Sequence, residues 1–94
     1  LTRVTHFFAE DKLTYAATSE KRYVVDWTIT ELEEKLDPAR FVRVHRATLV
    51  NVDYVGELYS LFAGKQLVRL KDAKRTELTV AKERVKALRE RLGL

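Results

Sequence analysis

Residues 40–51 read R-F-V-R-V-H-R-A-T-L-V-N and carry Arg40, Arg43, His45 and Arg46 among Phe41, Val42, Val44, Leu49 and Val50. Cationic and hydrogen-bonding groups mounted on a segment apolar enough to be held in a core form a rigid reader of an anionic surface. A guanidinium can offer two parallel N–H donors to a phosphate or to the O6 and N7 of guanine, and an imidazole can add a shorter single contact. In an extended run alternate side chains share a face. The spacing therefore predicts Val42 and Val44 pointing into a core, Arg43 and His45 pointing out together, and Arg46 at the end of the strand. On these residues alone a plainer reading stays open, a half-buried strand whose solvent face is basic.

Other chemistries find few groups here. The chain has no cysteine, which removes disulfides, thiolate metal sites and a cysteine nucleophile. His6 and His45 are the only histidines, so a zinc site would need mostly carboxylates, and we expect neither metal nor cofactor. His45 near Asp53 or Thr48 suggests a nucleophilic arrangement only on paper, because no nucleophile turn or oxyanion nest accompanies it. Glu33 and Glu34 fall on the outer side of a helix. The expectation is a protein that is not an enzyme.

The elements that must position the cluster can be read from periodicity. Ninety-four residues allow a single core, with 46% hydrophobic and 34% charged residues, as in a folded domain. No apolar run approaches the ~20 residues that span a bilayer, and the default expectation is a cytoplasmic location. The first residue is Leu1, and we read the chain as a piece of a longer protein. Strands are predicted over 4–9, 13–18 and 22–27, with polar turns at 10–12 and 19–21. His6 reads as structural. Thr28 and Glu31 have the capping-box spacing, Trp27 and Leu32 the staple spacing, and Pro38 disfavours continuation, so a short amphipathic helix is predicted over 28–37. Residues 52–62 mix periods and give a strand only toward their end. Strands over 66–70 and 76–79 make a second hairpin. Ala81, Val85, Leu88 and Leu92 then mark a terminal helix with Thr79 as its cap and Gly93 beyond it.

Charge is distributed unevenly along this order. Residues 1–40 hold 6 Lys/Arg against 8 Asp/Glu, and residues 41–94 hold 12 against 6. Such asymmetry points to an anionic partner, nucleic acid before membrane. The tyrosines at 15, 23, 54 and 59 form no recognisable stacking platform for single strands, which favours duplex DNA over RNA.

The segment F-V-R-V-H-R-A-T-L-V-N (41–51) resembles the hallmark F-x-R-x-H-R-S-x-x-V-N of the LytTR-type DNA-binding domain of bacterial response regulators of the LytR/AlgR class. The helix T-E-L-E-E-K-L (30–36) and the ending L-T-V-A-K-E-R-V-K-A-L (78–88) are similar to the same family, and the match runs from about Val4 to Leu92. The resemblance implies a mainly β domain over 1–94: an elongated β-β-β fold of about ten short antiparallel strands, one short internal helix and a C-terminal helix. It implies sequence-specific double-stranded DNA binding, with loops entering successive major grooves. The implied contacts are Lys12 in the first turn; His45 and Arg46 toward bases and Arg43 toward the backbone, with Thr48 in the same segment; and Lys82 and Arg84 before the last helix. It further implies paired direct repeats bound as a dimer, an N-terminal receiver or sensor domain elsewhere in the protein, and a chain that begins after the family's first strand.

This sequence departs from the pattern in places. Ala47 replaces the hallmark serine, and Ala81-Lys82-Glu83 stands where the family has Ser-Arg followed by another basic residue. Those departures motivate an alternative, a divergent module for protein interaction or non-specific binding to anionic surfaces. Asn51 reads as structural, satisfying backbone groups.

Overall fold

The computed structural model describes residues 3–94; residues 1 and 2 of the expected domain lie outside the described residues. Runs of β-branched and aromatic residues broken by short polar turns give three consecutive strands, β1 (His6–Glu10), β2 (Leu13–Ala17) and β3 (Arg22–Val25). Helix α1 (Ile29–Lys35) follows. Its capping box is complete: the Thr28 hydroxyl accepts from the Glu31 backbone N–H at 3.1 Å, and the Glu31 carboxylate accepts from the Thr28 N–H at 2.9 Å. The hallmark segment folds as β4 (Phe41–His45) and β5 (Thr48–Asn51). After a 3-10 turn at Val52–Tyr54 come β6 (Val55–Ser60), β7 (Gln66–Leu70) and β8 (Glu77–Val80). A 3-10 turn at Lys82–Arg84 leads into α2 (Val85–Leu92).

The strands form two antiparallel sheets, one ordered β3-β2-β1-β5-β4 and the other β6-β7-β8. The larger sheet carries a core on each face, while its edge strand β3 stays largely exposed. Phe7, Ala16, Phe41 and Leu49 project to one side, where Ile29 and Leu32 of α1 close over them. Val44 and Val50 project to the other, against Val68, Leu70 and Val80 of the second sheet and Leu88 of α2. The described residues thus give eight short strands and two helices where the resemblance implied about ten strands, in a body of 35 × 27 × 26 Å.

Differences from the expected boundaries have local causes. The terminal helix starts at Val85 rather than beside Thr79, because Val80 is paired with Gln66 and the Ala81 N–H donates to the Val44 carbonyl at 2.7 Å. Both residues are thereby held extended. Gly93, at φ 77°, takes the left-handed conformation at the helix end, and the Leu94 N–H closes back on the Arg89 carbonyl at 2.8 Å. Asn51 is buried; its side-chain amide donates to the Val4 carbonyl and its oxygen accepts from the Asp53 N–H, so it satisfies backbone groups.

His6 is buried beneath this scaffold, its Nδ1 3.0 Å from the Thr5 hydroxyl, which itself donates to the Ala17 carbonyl. Burial pushes the imidazole below its ordinary pKa of 6.5, with the Asp72 carboxylate acting the other way. Burial raises the Asp72 carboxyl, but the hydroxyl and N–H of Thr76, its own N–H and the His6 charge together hold it below its ordinary value. A histidine with a depressed folded pKa binds its proton more readily when unfolded, so its share of stability is present above 6.5 and lost as the pH falls below it. The denaturant midpoint should therefore fall between pH 7.5 and 5, and His6→Gln should flatten that part of the profile.

Candidate nucleic-acid interface

The first cation-bearing turn is built by β1 and β2. Glu10 and Leu13 pair directly, leaving a two-residue connection in which Asp11 and Lys12 both have positive φ, 52° and 69°. That is the twist a two-residue hairpin needs. Aspartate tolerates the left-handed region, but lysine adopts it at a cost, since its Cβ crowds the following carbonyl. Lys12 is exposed at the tip.

The second turn joins β4 to β5 at residues 46 and 47. Arg43 pairs with Leu49 and His45 with Thr48, so one extra residue lies in β4 between these pairs. Leu49 and Thr48 are consecutive and face opposite ways, and directly opposed residues share a face. Arg43 and His45 consequently lie on opposite faces of the sheet, not together as simple alternation suggested. Val42 and Val44 do point into a core, the one facing the second sheet. His45 shares a surface groove with Thr48, Phe8 and His6. Its Nδ1 accepts from the Ala47 N–H at 3.3 Å, which leaves Nε2 as the protonated nitrogen of the neutral ring. Arg46 is exposed at the turn.

Arg43 is placed differently from the other cations. Its side chain is 14% exposed; Nη1 donates to Glu33 at 2.9 Å and Thr30 at 3.3 Å, Nε to the His45 carbonyl at 3.4 Å, and Nη2 to the Arg46 carbonyl.

The third turn is Lys82–Arg84. Lys82 and Glu83 are exposed and Arg84 is half-buried. The Ala81 N–H to Val44 bond ties this turn to the end of β4, and the Ala9 N–H donates to the Ala47 carbonyl at 2.9 Å, tying the end of β1 to the β4–β5 turn. Three cation-bearing turns are thus stitched along one edge of the molecule. Among the described residues Lys12, Arg46, Lys82 and Arg84 take part in no ion pair. Arg22 is paired with Glu10, Arg40 with Asp53, and Arg69 with Glu57 and Glu77, while among the described residues Arg75, Arg89 and Arg91 are, like the edge cations, in no ion pair. No group of histidine and carboxylate side chains among the described residues could hold a metal. No described helix is long and apolar enough to cross a membrane.

Sequence reasoning missed the contribution of Glu33, read as a solvated helix charge, and the left-handed pair at Asp11 and Lys12. The short polar run between two apolar strands was a signal for the latter, once Glu10 is counted into the first strand; nothing local marked the former.

The family model for the LytTr DNA-binding domain matches residues 1–93. The chain is 35% identical over 86 residues to the transcriptional regulatory protein YpdB of Escherichia coli K12, covering 92% of this chain and 35% of that protein. It is 32% identical over 91 residues to the heme-containing CO-sensing transcriptional regulator RcoM 2 of Paraburkholderia xenovorans, covering 97% and 34%. It is 33% identical over 81 residues to the sensory transduction protein LytT of Bacillus subtilis, covering 84% and 34%. The chain therefore spans about a third of the length of these relatives. A solved LytTr DNA-binding domain from Bacillus cereus superposes with a TM-score of 0.87 at 25% identity, over 99% of this chain and 84% of that one.

The strain at Lys12 can be measured. Relief of the left-handed backbone is worth roughly 1–2 kcal/mol, and the added unfolded-state freedom of glycine takes back about 0.4–1 kcal/mol. Lys12→Gly should therefore raise the unfolding free energy by about 0.5–1 kcal/mol in a urea titration, while Lys12→Ala should not.

Proposed function

Because the chain belongs to the LytTr DNA-binding domain family, we propose that it is the DNA-binding output domain of a longer transcriptional regulator and reads double-stranded DNA by sequence. One observation carries this reading: hydrogen bonds bring three separate cation-bearing turns to a single edge, where among the described residues Lys12, Arg46, Lys82 and Arg84 take part in no ion pair. Unpaired cations on a rigid edge can displace counterions from phosphate, which supplies affinity and makes it fall with salt. Hairpin tips are narrow enough for the major groove, about 12 Å wide, where each base pair presents a distinct donor and acceptor pattern.

In this reading Arg46, exposed at the β4–β5 turn, pairs with a base edge, and His45 donates from Nε2 beside it with Thr48 adjacent. Lys12 reaches a flanking groove, and Lys82 and Arg84 meet the phosphates. Glu83 stands among the last two and weakens that contact by repulsion. Paired direct repeats bound by two copies, a receiver or sensor domain in the same protein, and a cytoplasmic location complete the proposal. No catalytic role is assigned to any residue.

The test is fluorescence anisotropy against a randomised duplex pool at two salt concentrations, with sequencing of the bound fraction. Enrichment of a short repeated motif with steep salt dependence is expected. Binding without enrichment would reduce the edge to a non-specific cationic surface, and no binding at low salt would favour a protein-interaction module.

Two substitutions refine it. Arg46→Ala should cost roughly 1–3 kcal/mol and relax selection at one base position. Lys82→Ala should weaken all duplexes alike and lower the salt slope by about one.

A further inference from the structure

Arg43 sits between two things that must stay in register, the β4–β5 turn and helix α1. A two-residue hairpin connection is normally held by positive φ at its central residues, whose twist matches the strands. Asp11 and Lys12 supply this in the β1–β2 turn, but Arg46 and Ala47 are absent from the positive-φ residues, so their turn lacks that support. The bulge in β4 loosens the ladder at the same point. Besides the Ala9 bond to the Ala47 carbonyl and the Ala47 bond to His45, what ties the turn to the rest of the fold is one guanidinium. It donates to the carbonyls of His45 and Arg46 on one side and to Thr30 and Glu33 of α1 on the other.

We infer that Arg43 is a positioning residue: through Glu33 and Thr30 it fixes the β4–β5 turn to α1 and so sets the direction in which His45 and Arg46 are presented. The inference rests on the DNA-reading proposed above, and it replaces the phosphate contact that the resemblance implied for Arg43. Four donations within the chain leave one guanidinium N–H uncommitted, and the carboxylate of Glu33, 2.9 Å away, opposes the approach of a phosphate. The helix thereby acquires a role beyond covering the core. Its buried residues Ile29 and Leu32 anchor it, and its outer face carries the acceptor that steers the turn.

The decisive variant is Glu33→Ala, because the two roles of Arg43 predict opposite outcomes. Glu33 is on an exposed helix position where alanine is well tolerated, and Glu34→Ala makes the same charge change with no contact to Arg43. If Arg43 positions the turn, Glu33→Ala lowers the ratio of selected-site to random-duplex affinity about three- to tenfold, the worth of one partly solvated hydrogen bond. Random-duplex binding and its salt slope stay at the level of Glu34→Ala. If Arg43 instead contacts phosphate, Glu33→Ala tightens both duplexes equally, and Arg43→Ala lowers the salt slope by about one; that result overturns the inference. A DNA-free readout separates this from failure of the functional reading. In NMR spectra the Arg43 Nε–H should exchange slowly, and the Ala47 amide should shift in Glu33→Ala but not in Glu34→Ala. Should the parent select no sequence at all, the DNA-reading falls, while unmoved Ala47 and Arg43 signals would sink the positioning role by themselves.

Discussion

The arrangement depends on one strand that is buried on both sides. Leu49 and Val50 are adjacent in β5, each 0% exposed, and they serve different cores: Leu49 packs under α1, and Val50 packs against the second sheet and α2. Full burial of such a side chain is worth about 1.5–3 kcal/mol, and side chains on a strand alternate with a period of two. A slip of one residue in the pairing of β5 would therefore send each into the wrong core and bring Thr48 or Asn51 in after them. The register of β5 against β1 and β4 has only one acceptable value. That in turn fixes where the chain must reverse, between His45 and Thr48, and so where Arg46 is displayed.

Cores cover both faces of the larger sheet at β4 and β5, and the turns at the ends of these strands stay at the surface. The turns at Lys12 and at Arg46 project from the same end, and the Ala81 bond to Val44 brings the third cationic turn to them. The two cores therefore organise the proposed interface without contributing a side chain to it. Placing Lys12, Arg46 and Lys82 on exposed turns also keeps them hydrated, so these three do not carry the desolvation cost that a buried charge would. Arg43, at the border of the α1 core, is the exception, and its low exposure goes with four hydrogen bonds.

The parts legible in the sequence were those written in local chemistry. Thr28 with Glu31, Pro38 beyond them and Gly93 at the far end mark helix ends through the needs of a few neighbouring backbone groups, and the strands of 13–18 and 66–70 show their apolar side chains directly. Long-range pairing decided the rest. Ala81 has helical spacing with Val85 and Leu88, but a carbonyl of β4 competes for its N–H and wins, delaying the helix by a turn. The alternation of Val42, Arg43, Val44 and His45 is correct until the bulge, an irregularity set by how β4 meets β5 and the second sheet rather than by residue type. Glu33 illustrates the same limit: a glutamate on an amphipathic helix looks alike whether it faces water or an arginine ten positions away.

Charge in this domain divides in the same way. Arginines that brace the structure and arginines that reach outward are chemically identical in the sequence, and the formal net charge of +4 counts them equally. The structure sorts them by partner. Arg22, Arg40, Arg43 and Arg69 each sit within 4 Å of a carboxylate, and on Arg69 the pairing is close enough that Glu77 and Tyr59 hold the guanidinium's pKa up while the Glu77 carboxyl is held down by Tyr59 and Arg69. A phosphate approaching such a residue must compete with an acid already in place. Among the described residues no carboxylate is paired with Lys12 or Arg46, though Asp11 adjoins Lys12 in its turn and Glu83 adjoins Lys82. Lys12, Arg46 and Lys82 thus present their charge on turns with no acid bound to it, and the paired arginines brace the scaffold that carries them.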